Sequence, residues 1–222
     1  AKAELRMISE RIAKRAAREV REGMIINLGI GLPTKVADYL PKDQGIMVHS
    51  ENGILGVSGT VNGHEIDRDL IDAGGTHILV QQGASFMDSA VSFAFIRRGR
   101  LDIAMLGAFE VDEEGSLANW KLPGRHTPGI GGAMELAQKA RRVVVLCSHT
   151  DKNGRSKLVR KCSLPLTAPR CVTRIITELA VIDVGDDGLL LRELAEGVSV
   201  DAVVAATDAK LTVALEESGF ES

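Results

Sequence analysis

"IMVHSENGILG", residues 46–56, sets an apolar run, Ile46 to Val48, directly against a polar cluster that holds a carboxylate, Glu51, and a glycine, Gly53. A short continuous apolar run bounded by turn residues reads as a strand buried on both faces, with its carboxyl end at Ser50. The same pattern recurs on either side, in "MIINLG" (24–29), "HILVQ" (77–81), "LDIAMLG" (101–107) and "RVVVLCS" (142–148). Helical segments fall between these runs: Thr34 to Leu40 after "GLP", Ser85 to Arg98 with Ser85 as cap and Asp88 behind it, and Ala133 to Ala140 after "GIGG". Strands alternating with helices predict an α/β fold, an open and mostly parallel sheet with flanking helices.

Upstream, Leu5, Ile8, Ile12, Ala16 and Val20 recur at helical spacing, so residues 4–22 read as an amphipathic helix closed by Gly23. Residues 56–75 are glycine-rich and polar and read as a long loop. Beyond residue 150 the pattern changes. "DKNGR" reads as a turn, "KLVRKC" as a strand, "IITELAVIDV" as a long apolar run and "GDDGLL" as a tight connection, which predicts a partly antiparallel C-terminal part. With no repeat and no linker, residues 1–222 read as one domain.

Composition narrows the function. A hydrophobic content of 45 % over 222 residues supports a sizeable core. The 27 Lys and Arg against 30 Asp and Glu give no pull toward nucleic acid or an anionic membrane, and favour a small-molecule or protein partner. Cys147, Cys162 and Cys171 are odd in number and lack C-x-x-C spacing, which argues against a disulfide framework and a zinc site. No stretch approaches the roughly 20 apolar residues of a membrane span. The opening "AKAELRMISERIAKR" is charged where a signal peptide is apolar, so the expected setting is a reducing cytoplasm.

In open α/β sheets, ligands gather outside the carboxyl ends of the strands. The unusual clusters sit there: "GIGLP" (29–33), "SENG" (50–53), "QQGAS" (81–85) and "GIGG" (129–132). Gly131, Gly132 and Ala133 open a helix, and their free N–H groups suit a developing oxyanion. Such loops are common in α/β proteins, so "GIGG" alone is weak. No G-x-G-x-x-G fingerprint and no G-x-x-x-x-G-K-[ST] is present, which removes nicotinamide and nucleoside-triphosphate readings. Ser50 and Asn52 flank Glu51 and are expected to hold its orientation, while Gly53 clears space beside it. A carboxylate so placed can act as base, metal ligand or covalent nucleophile. Metal is the poorest of these, because His49, His64, His77, His126 and His149 are scattered without ligand spacing. The absence of G-x-S-x-G removes the usual setting of a Ser-His-acid triad.

Four ordered motifs, "SENGILG", "GASFMDSAVSFAFIRRG", "LDIAMLGAFEVDEEGSLANWKLPG" and "GIGGAMELA", resemble the β subunit of the family I coenzyme A transferases, the group that includes the acetoacetate and 3-oxoadipate enzymes. The resemblance runs from about Glu4 to Val213 and takes in "CSLPLTAP" and "TELAVIDV". It implies a fold shared with ribose-phosphate isomerase-like and glucosamine-phosphate deaminase-like proteins. It also implies an α subunit as partner, in an αβ or α2β2 assembly, with side chains of that subunit completing the site. No cofactor and no metal is implied, only a coenzyme A thioester as substrate.

Glu51 matches the family's nucleophilic glutamate, which carries CoA as a γ-glutamyl thioester between an acyl-CoA donor, succinyl-CoA or acetyl-CoA, and a 3-oxo or short-chain carboxylic acid. Gly132 and Ala133 match positions whose backbone lies beside the reacting carbonyl. A carboxylate needs no base at neutral pH but is a poor nucleophile until a closed pocket strips its hydration and CoA binding positions it. Gly53 is expected to leave room for the thioester. The rival readings are an acyl-CoA hydrolase on the same scaffold, which would run without an acceptor acid, and a metabolite sensor, for which an intact "SENG" serves no purpose.

Two departures from the family pattern, Val91 after "DSA" and "VQQGASF" in place of a segment ending in "LPGASF", bear on acyl specificity if these loops line the pocket. Arg97, Arg98, Lys121 and Arg125 are the basic residues that could meet CoA phosphates, with solvation as the ordinary alternative.

Overall fold

The computed structural model describes residues 2–61, 66–125, 127 and 129–216. In chain order the elements are α1 (Lys2–Ala17), β1 (Ile25–Leu28), a 3₁₀ helix (Leu32–Tyr39), β2 (Met47–Ser50), β3 (Ile54–Thr60), β4 (Ile78–Phe86), α2 (Ser89–Arg97), β5 (Ile103–Leu106), β6 (Glu110–Asp112), β7 (Leu117–Ala118), α3 (Ala133–Lys139), β8 (Arg142–Leu146), β9 (Leu158–Val159), β10 (Arg174–Ile176), β11 (Ala180–Gly185), β12 (Gly188–Leu194), α4 (Val200–Ala205) and β13 (Leu211–Val213).

A 10-stranded sheet runs in the order β13-β12-β11-β10-β8-β5-β1-β2-β3-β4, and β7-β6-β9 form a small second sheet. The centre, β10-β8-β5-β1-β2, is parallel throughout. Its apolar runs are continuous because both faces are covered. Along β5, Ile103 and Met105 pack under α1 with Ile12, Ala13 and Ala16, while Ala104 and Leu106 pack on the other side with Ile96 and Leu136 of α2 and α3. A period-2 strand between two helical layers must be apolar at every position, which is the pattern of "LDIAMLG".

Several expectations are corrected. The segment 56–75 is not a loop throughout: β3 occupies its start, antiparallel to β2 and to β4. The strand predicted at 77–81 is therefore an antiparallel edge strand that runs on to Phe86, with Leu79 43 % and Phe86 60 % exposed. The antiparallel character is found at both ends of the sheet. Ser85 lies in β4, and the cap of α2 is Asp88, whose Oδ1 accepts from the N–H of Val91 at 2.9 Å. The first helix ends at Ala17, earlier than its apolar stripe suggested, and Leu5 at its start is 63 % exposed. "IITELAVIDV" is broken at Thr177–Leu179 into the antiparallel pair β10 and β11, and the "GDDGLL" connection joins β11 to β12 as expected. The strand in "KLVRKC" shrinks to Leu158–Val159. His64 and His126 lie outside the described residues. No helix among the described residues is long and apolar enough to cross a membrane.

At the amino ends of β8 and β10, Glu19 gathers three arginines: Arg15 at 2.9 Å, Arg142 at 2.7 Å and Arg174 at 2.8 Å. Its side chain is almost fully buried, a cost that the three partners offset, and the net effect holds its carboxyl down at about 2. Burial alone lowers two histidines, His49 and His149, to about 4. The signs agree. Between about pH 6.5 and 4 the unfolded chain takes up protons on these imidazoles that the folded chain refuses, so stability falls on acidification by roughly 3 kcal/mol for each histidine. Below about pH 4.5 the unfolded state also protonates Glu19 while the folded state keeps it ionised, which removes a further contribution of roughly 3 kcal/mol by pH 2. Urea unfolding between pH 7 and 3 is expected to give a midpoint that drops steadily from pH 6.5. A flat midpoint down to pH 4.5 would contradict the histidine assignment.

Candidate functional site

The strand order reverses at β1, with β2 on one side and β5 on the other, so a crevice opens above their carboxyl ends. A cleft of about 870 Å³ fills it. Gly29 and Ile30 reach it from β1, Glu51 from β2, Gly107 and Ala108 from β5, Cys147 and Ser148 from β8, and Gly129 to Ala133 from the entry to α3. Of the predicted clusters, "GIGLP", "SENG" and "GIGG" thus meet. "QQGAS" does not, because β4 carries it along the outer edge of the sheet.

Glu51 takes its place from the strand it follows and from one buried amide. Its Oε2 accepts from Asn27 Nδ2 at 3.2 Å, and Asn27 is 1 % exposed in β1. The same Nδ2 donates to the backbone oxygen of His49 at 3.1 Å, so β1 and β2 are tied together beside the carboxylate. On the other side lies Gly132. A Cβ there would sit 3.1 Å from Glu51 Cγ, 3.3 Å from its Oε1 and 3.3 Å from Phe93 Cζ of α2, so the carboxylate runs along bare backbone. Ala133 begins α3 immediately afterwards, and the first turn of a helix leaves its N–H groups without intrahelical partners.

The neighbours of Glu51 do not play the parts expected of them. Ser50 Oγ accepts from the N–H of Ala73 at 2.9 Å, and Asn52 Nδ2 donates to Ile71 O at 2.7 Å. Both pin the chain at 71–73 to the end of β2, and among the described residues neither side chain is hydrogen-bonded to Glu51. On the side where a side chain would stand, Gly53 meets the chain itself and not open space. Its φ is +121°, and a Cβ would fall 1.9 Å from Met87 O, so the space is already taken by the chain leading into α2. The glycine is required by this close approach, which Met87 N reinforces by donating to Gly53 O at 2.9 Å.

Residues 9–206 match the coenzyme A transferase family. The chain belongs to that family. It is 49 % identical over 92 % of its length to the probable coenzyme A transferase beta subunit of Bacillus subtilis (strain 168), covering 94 % of that protein. It is 48 % identical over 93 % of its length to one subunit of the succinyl-CoA:3-ketoacid coenzyme A transferase of Helicobacter pylori (strain ATCC 700392 / 26695), covering 99 % of it. Among solved structures, an acyl-CoA transferase from Escherichia coli O157:H7 superposes with a TM-score of 0.74 at 22 % identity over 94 % of this chain. The chain spans 43 % of that longer protein. The coenzyme A transferase fold expected from the motifs is thus present, with the features of a β subunit.

In this transferase the cleft also contains groups that the sequence reading passed over. Trp120, Asn119 and Lys157 line it together with Arg125, for which solvation was the ordinary alternative. Lys121 stands 5.7 Å over the ring of Trp120. Arg97 is paired with Glu135 of α3 at 2.7 Å. Val91 is 52 % exposed on α2, and neither it nor Gln81 is among the described residues lining the cleft, so these departures from the family pattern do not shape the pocket within this subunit. Asn27 had a visible signal, a lone amide in the apolar run "MIINLG".

Proposed function

We propose that the chain is the β subunit of a two-component CoA transferase that moves CoA from succinyl-CoA or acetyl-CoA to a 3-oxo or short-chain carboxylic acid through a γ-glutamyl-CoA thioester on Glu51. The observation that carries the reading is the position of the Glu51 carboxylate, at the mouth of the cleft, held by Asn27 and laid along the bare backbone of Gly132.

The chemistry balances without an acid or a base. A Glu51 oxygen attacks the acyl carbonyl, the carbon–sulfur bond breaks, and a mixed anhydride and free CoA thiolate result. The thiolate attacks the glutamyl carbonyl, the anhydride C–O bond breaks, and the donor leaves as its carboxylate. An acceptor carboxylate then repeats both exchanges in reverse order, departs as the new acyl-CoA and frees Glu51. Charge develops on a carbonyl oxygen at each attack, and the N–H groups of Gly131, Gly132 and Ala133 are the donors this chain offers to it. The partner is an α subunit, in keeping with relatives that are themselves named as beta subunits. No cofactor or metal enters any step.

The test is an intact mass spectrum of the chain in complex with its α subunit after mixing with single acyl-CoAs. A shift equal to CoA less one water, on this chain, is expected, and the acyl-CoAs that produce it identify the donor. An assembled complex that binds acyl-CoA and never acquires the adduct would overturn the thioester route.

Gly132→Ala separates positioning from folding. With φ at −78° the backbone accepts alanine without strain, but the new methyl meets Glu51 and Phe93. The stability change is expected to stay within about 1 kcal/mol. Transfer is expected to fall by at least about tenfold, because sub-ångström displacements of a reacting group are costly. Steady-state kinetics beside thermal unfolding measure both.

A further inference from the structure

The amide that holds Glu51 is itself held. Asn27 Nδ2 has two hydrogens and faces three acceptors: Glu51 Oε2 at 3.2 Å, His49 O at 3.1 Å and His49 Nδ1 at 3.3 Å. An amide nitrogen only donates, so Nδ1 is the acceptor and the imidazole hydrogen sits on Nε2. Ser92 Oγ, 2.9 Å from Nε2, receives it. The ring is further fixed by stacking on Phe95, with centroids 5.6 Å apart and planes 16° from parallel. His49 is 2 % exposed and Ser92 0 %. Both Ser92 and Phe95 belong to α2, as does Phe93, whose ring lies against Gly132. One helix therefore braces both His49 and the backbone of Gly132.

We propose that Ser92 and His49 are positioning residues: Ser92 holds the imidazole ring in orientation, and the ring holds the Asn27 amide and, through it, the direction of the Glu51 carboxylate. A ring flipped about its axis presents a carbon to the Asn27 amide, and one with its hydrogen on Nδ1 presents a donor to a donor, so either loosens the amide from its pose. The Asn27 amide selects this tautomer, because Nδ1 as a donor would face its N–H groups, and Ser92 holds the ring in orientation by pairing with Nε2, while Asn27 Oδ1 is left without a partner. This rests on the reading of Glu51 as the nucleophile.

The experiment uses the complex with the α subunit and follows formation of the CoA adduct in single turnovers, with kcat and KM for the acyl-CoA alongside. Ser92→Ala is expected to slow adduct formation by about tenfold or more at saturating acyl-CoA with KM unchanged, as misdirection of a bound reactant does. His49→Phe keeps the stack on Phe95, removes both ring nitrogens and is expected to give the same loss. In an Asn27→Ala background, Ser92→Ala is expected to add less than about twofold, because both changes act on one chain of contacts. Losses that multiply in the double variant, or single variants that load CoA at the wild-type rate, would overturn the proposal. If Glu51→Gln blocks loading while Ser92→Ala and His49→Phe do not, the positioning chain alone fails. If Glu51→Gln still loads, the nucleophile assignment fails first.

Discussion

Glu51→Gln is expected to lower kcat/KM for CoA transfer by at least about 10⁴-fold, since the step it removes is formation of the covalent intermediate itself. Glutamine keeps the length and shape of the side chain, and its carbonyl oxygen still accepts from Asn27 Nδ2, so the local geometry survives. What is lost is the anionic oxygen that attacks. The amide nitrogen is no substitute, and no other carboxylate is among the described residues lining the cleft. Unfolding in urea, co-purification with the α subunit and acyl-CoA binding are all expected to stay near wild type, because the side chain is only half-buried at a strand end. Transfer within tenfold of wild type in a variant shown by mass to carry glutamine would remove Glu51 from the mechanism.

Gly53→Ala is expected to give the largest loss of stability of any single methyl added to the chain near the site, on the order of 4 kcal/mol or more. Two costs combine. At φ +121° a side chain is strained whatever the space around it, and the methyl would overlap Met87 O at 1.9 Å. The backbone cannot retreat, because the hydrogen bond from Met87 N to Gly53 O closes the same junction. Gly131→Ala is the internal control. Its φ is +57° and nothing lies within 4 Å of its Cβ position, so only the left-handed backbone penalty of about 1–2 kcal/mol applies. Denaturant titration of the two variants should separate clash from strain. Equal losses would mean that the junction between Gly53 and Met87 yields easily and does not brace the end of β2.

The parallel centre of the sheet was legible because its physics is local. A strand covered on both faces must be apolar at each position, and "IMVHS", "LDIAMLG" and "RVVVLCS" are written that way. The antiparallel edge was less legible. β3, Ile54–Thr60, alternates buried and open positions across glycines, a pattern that also suits a loop, and only pairing with β2 and β4 makes it a strand. Ser85 resembled a cap by composition, yet the chain stays extended through Phe86 because Ile54 pairs with it.

By itself the sequence determined that an α/β sheet carries a carboxylate at the carboxyl end of a central strand, with a glycine pair ahead of a helix to meet it. Those features are encoded within a few neighbouring residues. Only the tertiary structure decided what orients the carboxylate and what the flanking residues are for. Asn27 reaches Glu51 across 24 positions, Ser92 reaches His49 across 43, and Ser50 and Asn52 turn away to hold residues 71–73. Hydrogen bonds between residues so far apart leave no periodicity along the chain. They exist because the parallel order of β1 and β2 and the packing of α2 bring donors and acceptors within about 3 Å, where burial obliges them to pair.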